Sequence, residues 1–176
     1  MDPNTRSRIA ASIDVFRLPA YQEIPDVGLY LEQTAKYISD CLAPVQDLPV
    51  TGSMISNYVK KGLIAKPVRK QYSREQIAQL MFIAVAKMSM SMDDLHLMLT
   101  IQRQTYSSEI AYNYFCREFE NVLACVFGRK SEMDVIGADT TDEKIMLRNM
   151  IIAVAHKVYL DKLFSVLRAG DGGAKN

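Results

Sequence analysis

The sequence predicts a mainly α-helical fold on the strength of three observations. Apolar residues recur at helical spacing in several segments, capping residues stand just before those segments, and alternating strand patterns are scarce. Nearly half of the 176 residues are apolar, which is enough to bury a sizeable core. We divide the chain into an N-terminal extension (1–20), a first helical domain (21–104), a C-terminal helical region (105–168) and a disordered tail (169–176).

Two helices are predicted in the first half of this domain. In the segment "GLYLEQTAKYISDCL", four apolar residues fall on one face of a helix, namely Leu31, Ala35, Ile38 and Leu42. Two prolines in "APVQDLPV" then interrupt the pattern. Thr51 is placed to cap a short helix over 52–61, and Gly62 is placed to end it in a left-handed conformation.

Two further capped helices are predicted after a basic stretch. "SREQ" at 73–76 is a capping box ahead of an apolar run that covers most of the helix circumference, so a central, buried helix is expected. "SMDD" at 91–94 begins the next helix and puts acids in the first turn, where the helix dipole favours them. This helix is expected to bury Leu95, Met98 and Leu99 and to expose Asp93, His96, Thr100 and Arg103.

The C-terminal region is predicted to hold two long helices. One runs to Phe127 and ends at Gly128, and the other runs from "TTDE" at 140–143 to Arg168. The second has two apolar faces, namely Leu147, Ile151, Val154 and Val158, and Leu160, Leu163, Phe164 and Leu167. Two arrangements would account for the additional apolar face equally well. A second copy of the chain in a homodimer could cover it, or it could be buried inside one intramolecular helical bundle.

Positive charge is concentrated in one segment although the chain as a whole is close to neutral. The formal net charge is +1, yet residues 60–74 contain six basic residues and no acid, which leaves 15 basic and 20 acidic residues elsewhere. Such a segment is typical of a binding site for an anionic partner. A solvated basic loop without a partner is the alternative.

No arrangement of residues indicates catalysis, a metal site or a cofactor. The three cysteines form no CxxC pair, the two histidines stand alone, and the glycine-rich nucleotide motifs are missing from the sequence. We therefore expect a protein that is not an enzyme. The N-terminus lacks the apolar run of a signal peptide, and the apolar segments are too short to cross a membrane, so a cytoplasmic protein is expected.

The basic segment follows a helix whose outward residues are small or polar. Serine and asparagine side chains can contact base edges or phosphates, while lysines and arginines in a short β-ribbon or extended loop can neutralise the backbone. These properties suit double-stranded DNA as the partner. The candidate DNA-binding residues are Ser53, Ser56, Asn57, Tyr58, Lys60, Lys61, Lys66, Arg69, Lys70 and Tyr72.

Three motifs, "ISNYVKKGLI", "KQYSREQIAQLMFI" and "SMSMDDLHLML", resemble successive signatures of MerR-type winged helix-turn-helix regulators. Over residues 20–103 the chain also resembles a bacterial family of unassigned function that contains a MerR-like domain. This resemblance implies a recognition helix over 51–61, a short basic β wing over 65–72, and a dimer that binds two half-sites as a sequence-specific transcriptional regulator. A pocket between the C-terminal helices could hold a small-molecule effector, which no residue identifies.

Three positions differ from the MerR pattern. Ser56 stands where those proteins have an arginine, and Val68 and Arg69 stand where they have Gly-Tyr. Ser56 and a wing that is shorter than in MerR proteins favour an alternative function, a helical protein-interaction module on the same fold that does not bind DNA. The basic segment would then contact an acidic protein or no partner at all.

Overall fold

A computed structural model of the chain describes residues 3–136 and 141–171, which form seven α-helices, one 3₁₀ turn and a two-stranded antiparallel sheet. The mainly helical fold class is therefore confirmed. The helices are α1 (Pro3–Ala11), α2 (Leu31–Leu42), α3 (Gly52–Lys60), α4 (Arg74–Ala86), α5 (Met92–Thr105), α6 (Ser108–Val126) and α7 (Asp142–Asp171). The strands are β1 (Leu29–Tyr30) and β2 (Gln71–Tyr72), and the 3₁₀ turn spans Tyr21–Glu23.

Hydroxyl caps begin the helices where the sequence predicts them. The side chains of Thr51, Ser73 and Ser91 each accept a hydrogen bond from the backbone N–H three residues later, at 3.1–3.3 Å. Each bond satisfies an N–H group that has no partner within its helix. Thr141 caps α7 in the same way through Lys144, while the neighbouring Thr140 of the predicted cap lies outside the described residues.

Helix α4 lies at the centre of the core, as its apolar sequence predicts. Nine of its thirteen residues are buried. Helix α6 packs against it, and the ring of Phe82 on α4 meets Phe115 of α6 edge-to-face with 5.2 Å between the ring centroids. The buried apolar residues from Ile9 in α1 to Val158 in α7 form one cluster. The N-terminal extension thus includes a helix whose buried face joins the common core.

The two apolar faces of α7 have different environments. The face of Ile151, Val154 and Val158 is fully buried within the molecule, so an intramolecular bundle accounts for it. Leu160, Phe164 and Leu167 on the other face remain about half exposed. Helix α7 continues to Asp171 and so includes residues 169–171 of the segment predicted as a disordered tail; residues 172–176 lie outside the described part. Among the described helices, none combines the length and the apolarity that a membrane crossing requires.

A buried ion pair fixes α7 to α6. Arg148 of α7 pairs with Glu118 of α6, whose side chain is completely buried. The same guanidinium donates to the carbonyl oxygen of Asp134 at 2.9 Å. Asn121 of α6 also binds the backbone of Asp134 twice, through its amide N–H₂ and its amide oxygen, each at 3.0 Å. The loop before α7 and the first turns of α7 are therefore held against α6 by polar contacts.

We expect Arg148→Leu to lower the free energy of unfolding by about 3 kcal/mol, because it leaves the carboxylate of Glu118 buried without its partner. The change is measured as a shift of the midpoint of urea denaturation. The double variant Glu118→Leu/Arg148→Leu should recover most of the lost stability, since it removes both charges together. A double variant as unstable as the single one would show that the ion pair itself does not determine this stability.

Candidate functional site

The candidate site is the outward face of α3 together with the basic segment that follows it. Ser53, Ser56, Asn57 and Lys60 are exposed and recur at the spacing of one helical face. The opposite face of α3 is buried through Gly52, Ile55 and Tyr58. This division of α3 into a packed face and a polar outward face leaves small side chains and one cation free to contact a partner.

Gly62 turns the chain sharply at the end of α3. Its φ angle is +74°, and its N–H donates to the carbonyl of Val59 at 3.0 Å, while the N–H of Leu63 donates to the carbonyl of Tyr58 at 3.0 Å. These two bonds form a Schellman motif, which places an apolar contact between the residues at its two ends. Both Leu63 and Tyr58 are accordingly buried, and the predicted glycine stop is confirmed.

The backbone after the turn is held by side chains from two core helices. Arg103 of α5 donates to the carbonyl oxygen of Leu63 at 2.6 Å. Gln76 of α4 donates to the carbonyl oxygen of Ala65 at 2.8 Å. Both carbonyls would otherwise lack partners at the edge of the core, so the two bonds fix where the basic segment leaves the body of the protein.

The basic segment returns to the core through the small sheet. Strand β2 pairs antiparallel with β1, with Leu29 opposite Tyr72. Gly28 precedes β1, and a Cβ atom at this position would lie only 2.7 Å from the Cβ of Gln71, so glycine is required for the close approach of the two chains. Of the segment predicted as a β wing (65–72), Gln71 and Tyr72 form a strand, and this strand pairs with residues that the sequence does not mark as a strand.

Arg69 and Lys70 occupy the two central positions of a tight turn. The N–H of Gln71 donates to the carbonyl of Val68 at 2.9 Å, and the φ angles of Arg69 and Lys70 are +50° and +67°. This hydrogen bond and two positive φ angles are the features of a type I′ turn, which normally contains Asn-Gly. Left-handed backbone costs about 1–2 kcal/mol at each residue with a side chain. The tip of the segment thus presents two cations on a strained backbone.

Five cations around α3 remain without acidic partners within residues 3–136 and 141–171. Lys60, Lys61, Lys66, Arg69 and Lys70 are all exposed and none takes part in an ion pair there. The sequence contains no acid between Asp47 and Glu75, and these two carboxylates bind Lys162 and Ser108. Among the residues that the structure describes, no carboxylate pairs with any of these five positive charges, which we call the basic patch.

The structure buries two of the ten candidate DNA-binding residues. Tyr58 and Tyr72, expected at a DNA interface, are only 4% exposed, because one closes the Schellman motif and the other lies in the paired strand β2. Burial raises the pKa of both phenols, in keeping with a structural role. Arg74, the sixth basic residue, donates to the carbonyl of Ile24 at 2.8 Å and lies over the ring of Tyr21, so it supports the core rather than the patch.

We expect Arg69→Asn/Lys70→Gly to raise the free energy of unfolding by about 1 kcal/mol, because Asn-Gly adopts the type I′ turn with less strain. The midpoint of urea denaturation measures this gain. Arg69→Gln/Lys70→Gln is the matched control, since it removes the same two charges and keeps side chains at both positions. A similar gain in both variants would mean that charge repulsion, rather than backbone strain, limits the stability of the turn.

Comparison with protein families gives one match. A family model described as a domain of unknown function (DUF1836) matches residues 19–115, which is more than half of the chain and includes α2, α3, the basic segment, α4 and α5. No significant match was found among curated proteins or among solved structures. The resemblance to a family of unassigned function is thereby confirmed, and the chain belongs to the DUF1836 family.

Proposed function

We propose that the protein is a sequence-specific DNA-binding regulator whose α3 lies in the major groove and whose turn at Arg69 and Lys70 contacts the flanking backbone. The observation that carries the proposal is the patch of five exposed cations, none of which pairs with an acid in the described part of the chain, next to the small polar face of α3. Phosphate contacts from lysine and arginine supply affinity, and short polar side chains in the groove supply sequence discrimination.

The order of elements agrees with a winged helix-turn-helix of the MerR type. Helices α2 and α3 pack against each other, a turn with two basic residues follows, and β2 returns to pair with β1 beside α2. Ser39 of α2 binds both the N–H and the carbonyl of Val50, at 2.9 and 3.1 Å, and so holds the long connection between the two helices to α2. Helix α3 is thereby supported on its buried side and left open on its polar side.

We further propose that a second copy of the chain covers the exposed apolar face of α7. Leu160, Phe164 and Leu167 are 47%, 48% and 46% exposed and follow one another at the spacing of a single helical face. A two-fold dimer formed there would present two copies of α3 to two half-sites.

The two cations at the turn should contribute to DNA affinity through release of counterions. On duplex fragments, Arg69→Gln/Lys70→Gln and Arg69→Asn/Lys70→Gly are both expected to weaken binding for all sequences alike. The slope of log K against log salt should become shallower by about 0.9 for each phosphate contact that is lost. Fluorescence anisotropy at several salt concentrations, starting at ~50 mM, measures both the affinity and the slope.

Two controls make this experiment decisive. Arg6→Gln/Arg8→Gln removes two exposed cations of α1, outside the region that the family model matches, and should leave affinity and slope unchanged. The Asn-Gly variant is expected to be more stable than the wild type, so its loss of affinity cannot come from unfolding. Unchanged binding in both turn variants would contradict the wing assignment. A folded wild-type protein that gives no gel shift with genomic DNA fragments would favour the protein-interaction module.

Phe164→Glu is expected to convert a dimer into a monomer, because it places a charge in the middle of the proposed apolar contact. Sedimentation equilibrium measures the mass of the particle. The fold should persist, because the side chain is already half exposed. Leu97→Glu, at an exposed apolar position of α5, is the matched control and should keep the mass of the wild type. A wild type that sediments as a monomer would contradict the dimer outright.

A further inference from the structure

A cavity of about 270 Å³ lies between α4, α5, α6 and α7, away from the basic patch. It reaches the surface, since Ile110 and Met146 among its lining residues are 59% and 37% exposed. An apolar cavity of roughly 150 Å³ already accepts benzene, and drug-sized ligands occupy about 300–1,000 Å³. The available space therefore suits a molecule somewhat larger than a single aromatic ring.

The lining of the cavity is mostly apolar and rich in aromatic rings. Five rings take part: Phe82, Tyr106, Tyr112, Tyr114 and Phe115. Aromatic side chains favour edge-to-face and offset contacts with other rings, so a planar ring system would gain more from this wall than an aliphatic chain of equal size.

Two glutamines give the cavity its hydrogen-bonding character. The side-chain N–H₂ of Gln102 donates to the carbonyl of Tyr106 at 2.9 Å, and that of Gln79 donates to the hydroxyl of Ser108 at 3.5 Å. Within the described ranges, neither amide oxygen accepts a hydrogen bond from the protein, so both can accept one from a ligand. The charged lining residues are of both signs, namely Arg117, Glu143 and Lys144, which favours no particular ligand charge.

We propose that this cavity is a binding site for a compact, neutral aromatic molecule that carries one hydroxyl or N–H donor. The rings of the wall enclose the aromatic body, and an amide oxygen of Gln79 or Gln102 accepts the donor. The site depends on no DNA contact, and its test is independent of the function proposed above.

The probe is 2-naphthol, compared with naphthalene, which lacks the donor. The chain contains no tryptophan, so the background to the naphthyl fluorescence comes from tyrosine. Saturable binding to the full-length protein is expected, with 2-naphthol about two- to tenfold tighter than naphthalene because of the added hydrogen bond. Absence of saturable binding, or equal affinity for the two probes, would overturn the proposal.

Two variants in which leucine replaces an alanine of α6 locate the binding site. Ala111→Leu fills part of the cavity and should weaken 2-naphthol binding roughly tenfold or more. Ala124→Leu lies on the same helix, is buried to a similar degree and does not line the cavity, so it should bind like the wild type. Equal binding in all three proteins would overturn the assignment of the site.

A measurement on the wild type avoids any effect of substitution on folding. With ¹³C-methyl-labelled methionine, 2-naphthol should shift the signals of Met98 and Met146, which line the cavity. Met54 in α3 and Met133 in the loop before α7 do not line it and should keep their positions. Shifts at these two, with none at Met98 and Met146, would place the probe elsewhere and overturn the proposal.

Discussion

The arrangement of the candidate interface depends on two backbone carbonyls bound by side chains of the core. Leu63 and Ala65 lie just beyond the end of α3, and their carbonyl oxygens accept hydrogen bonds from Arg103 and Gln76. Both donors sit on packed helices, so they hold the chain where it leaves the core after the left-handed turn at Gly62. The cations that follow on this segment, Lys66, Arg69 and Lys70, are all exposed.

The strained turn gives an independent reason to attach function to this segment. Stability alone would favour Asn-Gly at the two left-handed positions, yet the chain has Arg69 and Lys70 there. A conflict between local backbone preference and sequence is expected mainly at functional sites, where a side chain is needed at a given place. The two side chains that carry this conflict, Arg69 and Lys70, are also exposed cations.

The helices were predictable from the sequence because their signals are local. A hydroxyl at Thr51, Ser73 or Ser91 and a glycine at Gly62 or Gly128 act on neighbouring residues, and all five positions have the predicted roles. The apolar run after Ser73 likewise identified α4 as a central, largely buried helix.

Features that depend on distant partners could not be predicted in this way. Strand β1 is two residues long and exists only because β2 returns to it, so it leaves no alternating pattern. Tyr58 and Tyr72 were placed at the surface with the basic residues around them, although tertiary contacts bury both rings. The left-handed turn at Arg69 and Lys70 also lacks its usual residues, and the cavity is assembled from four helices whose lining residues each look like ordinary packing.

The cavity and the candidate interface share two supporting helices. On α5, Gln102 lines the cavity, and the next residue, Arg103, binds the carbonyl of Leu63. On α4, Gln79 lines the cavity, and Gln76, one turn earlier, binds the carbonyl of Ala65. The two sites are therefore separated by rigid helix rather than by a flexible segment. If an occupied cavity changes the affinity for a duplex, bound duplex must change the affinity for the ligand by the same factor, because a single coupling free energy governs both equilibria.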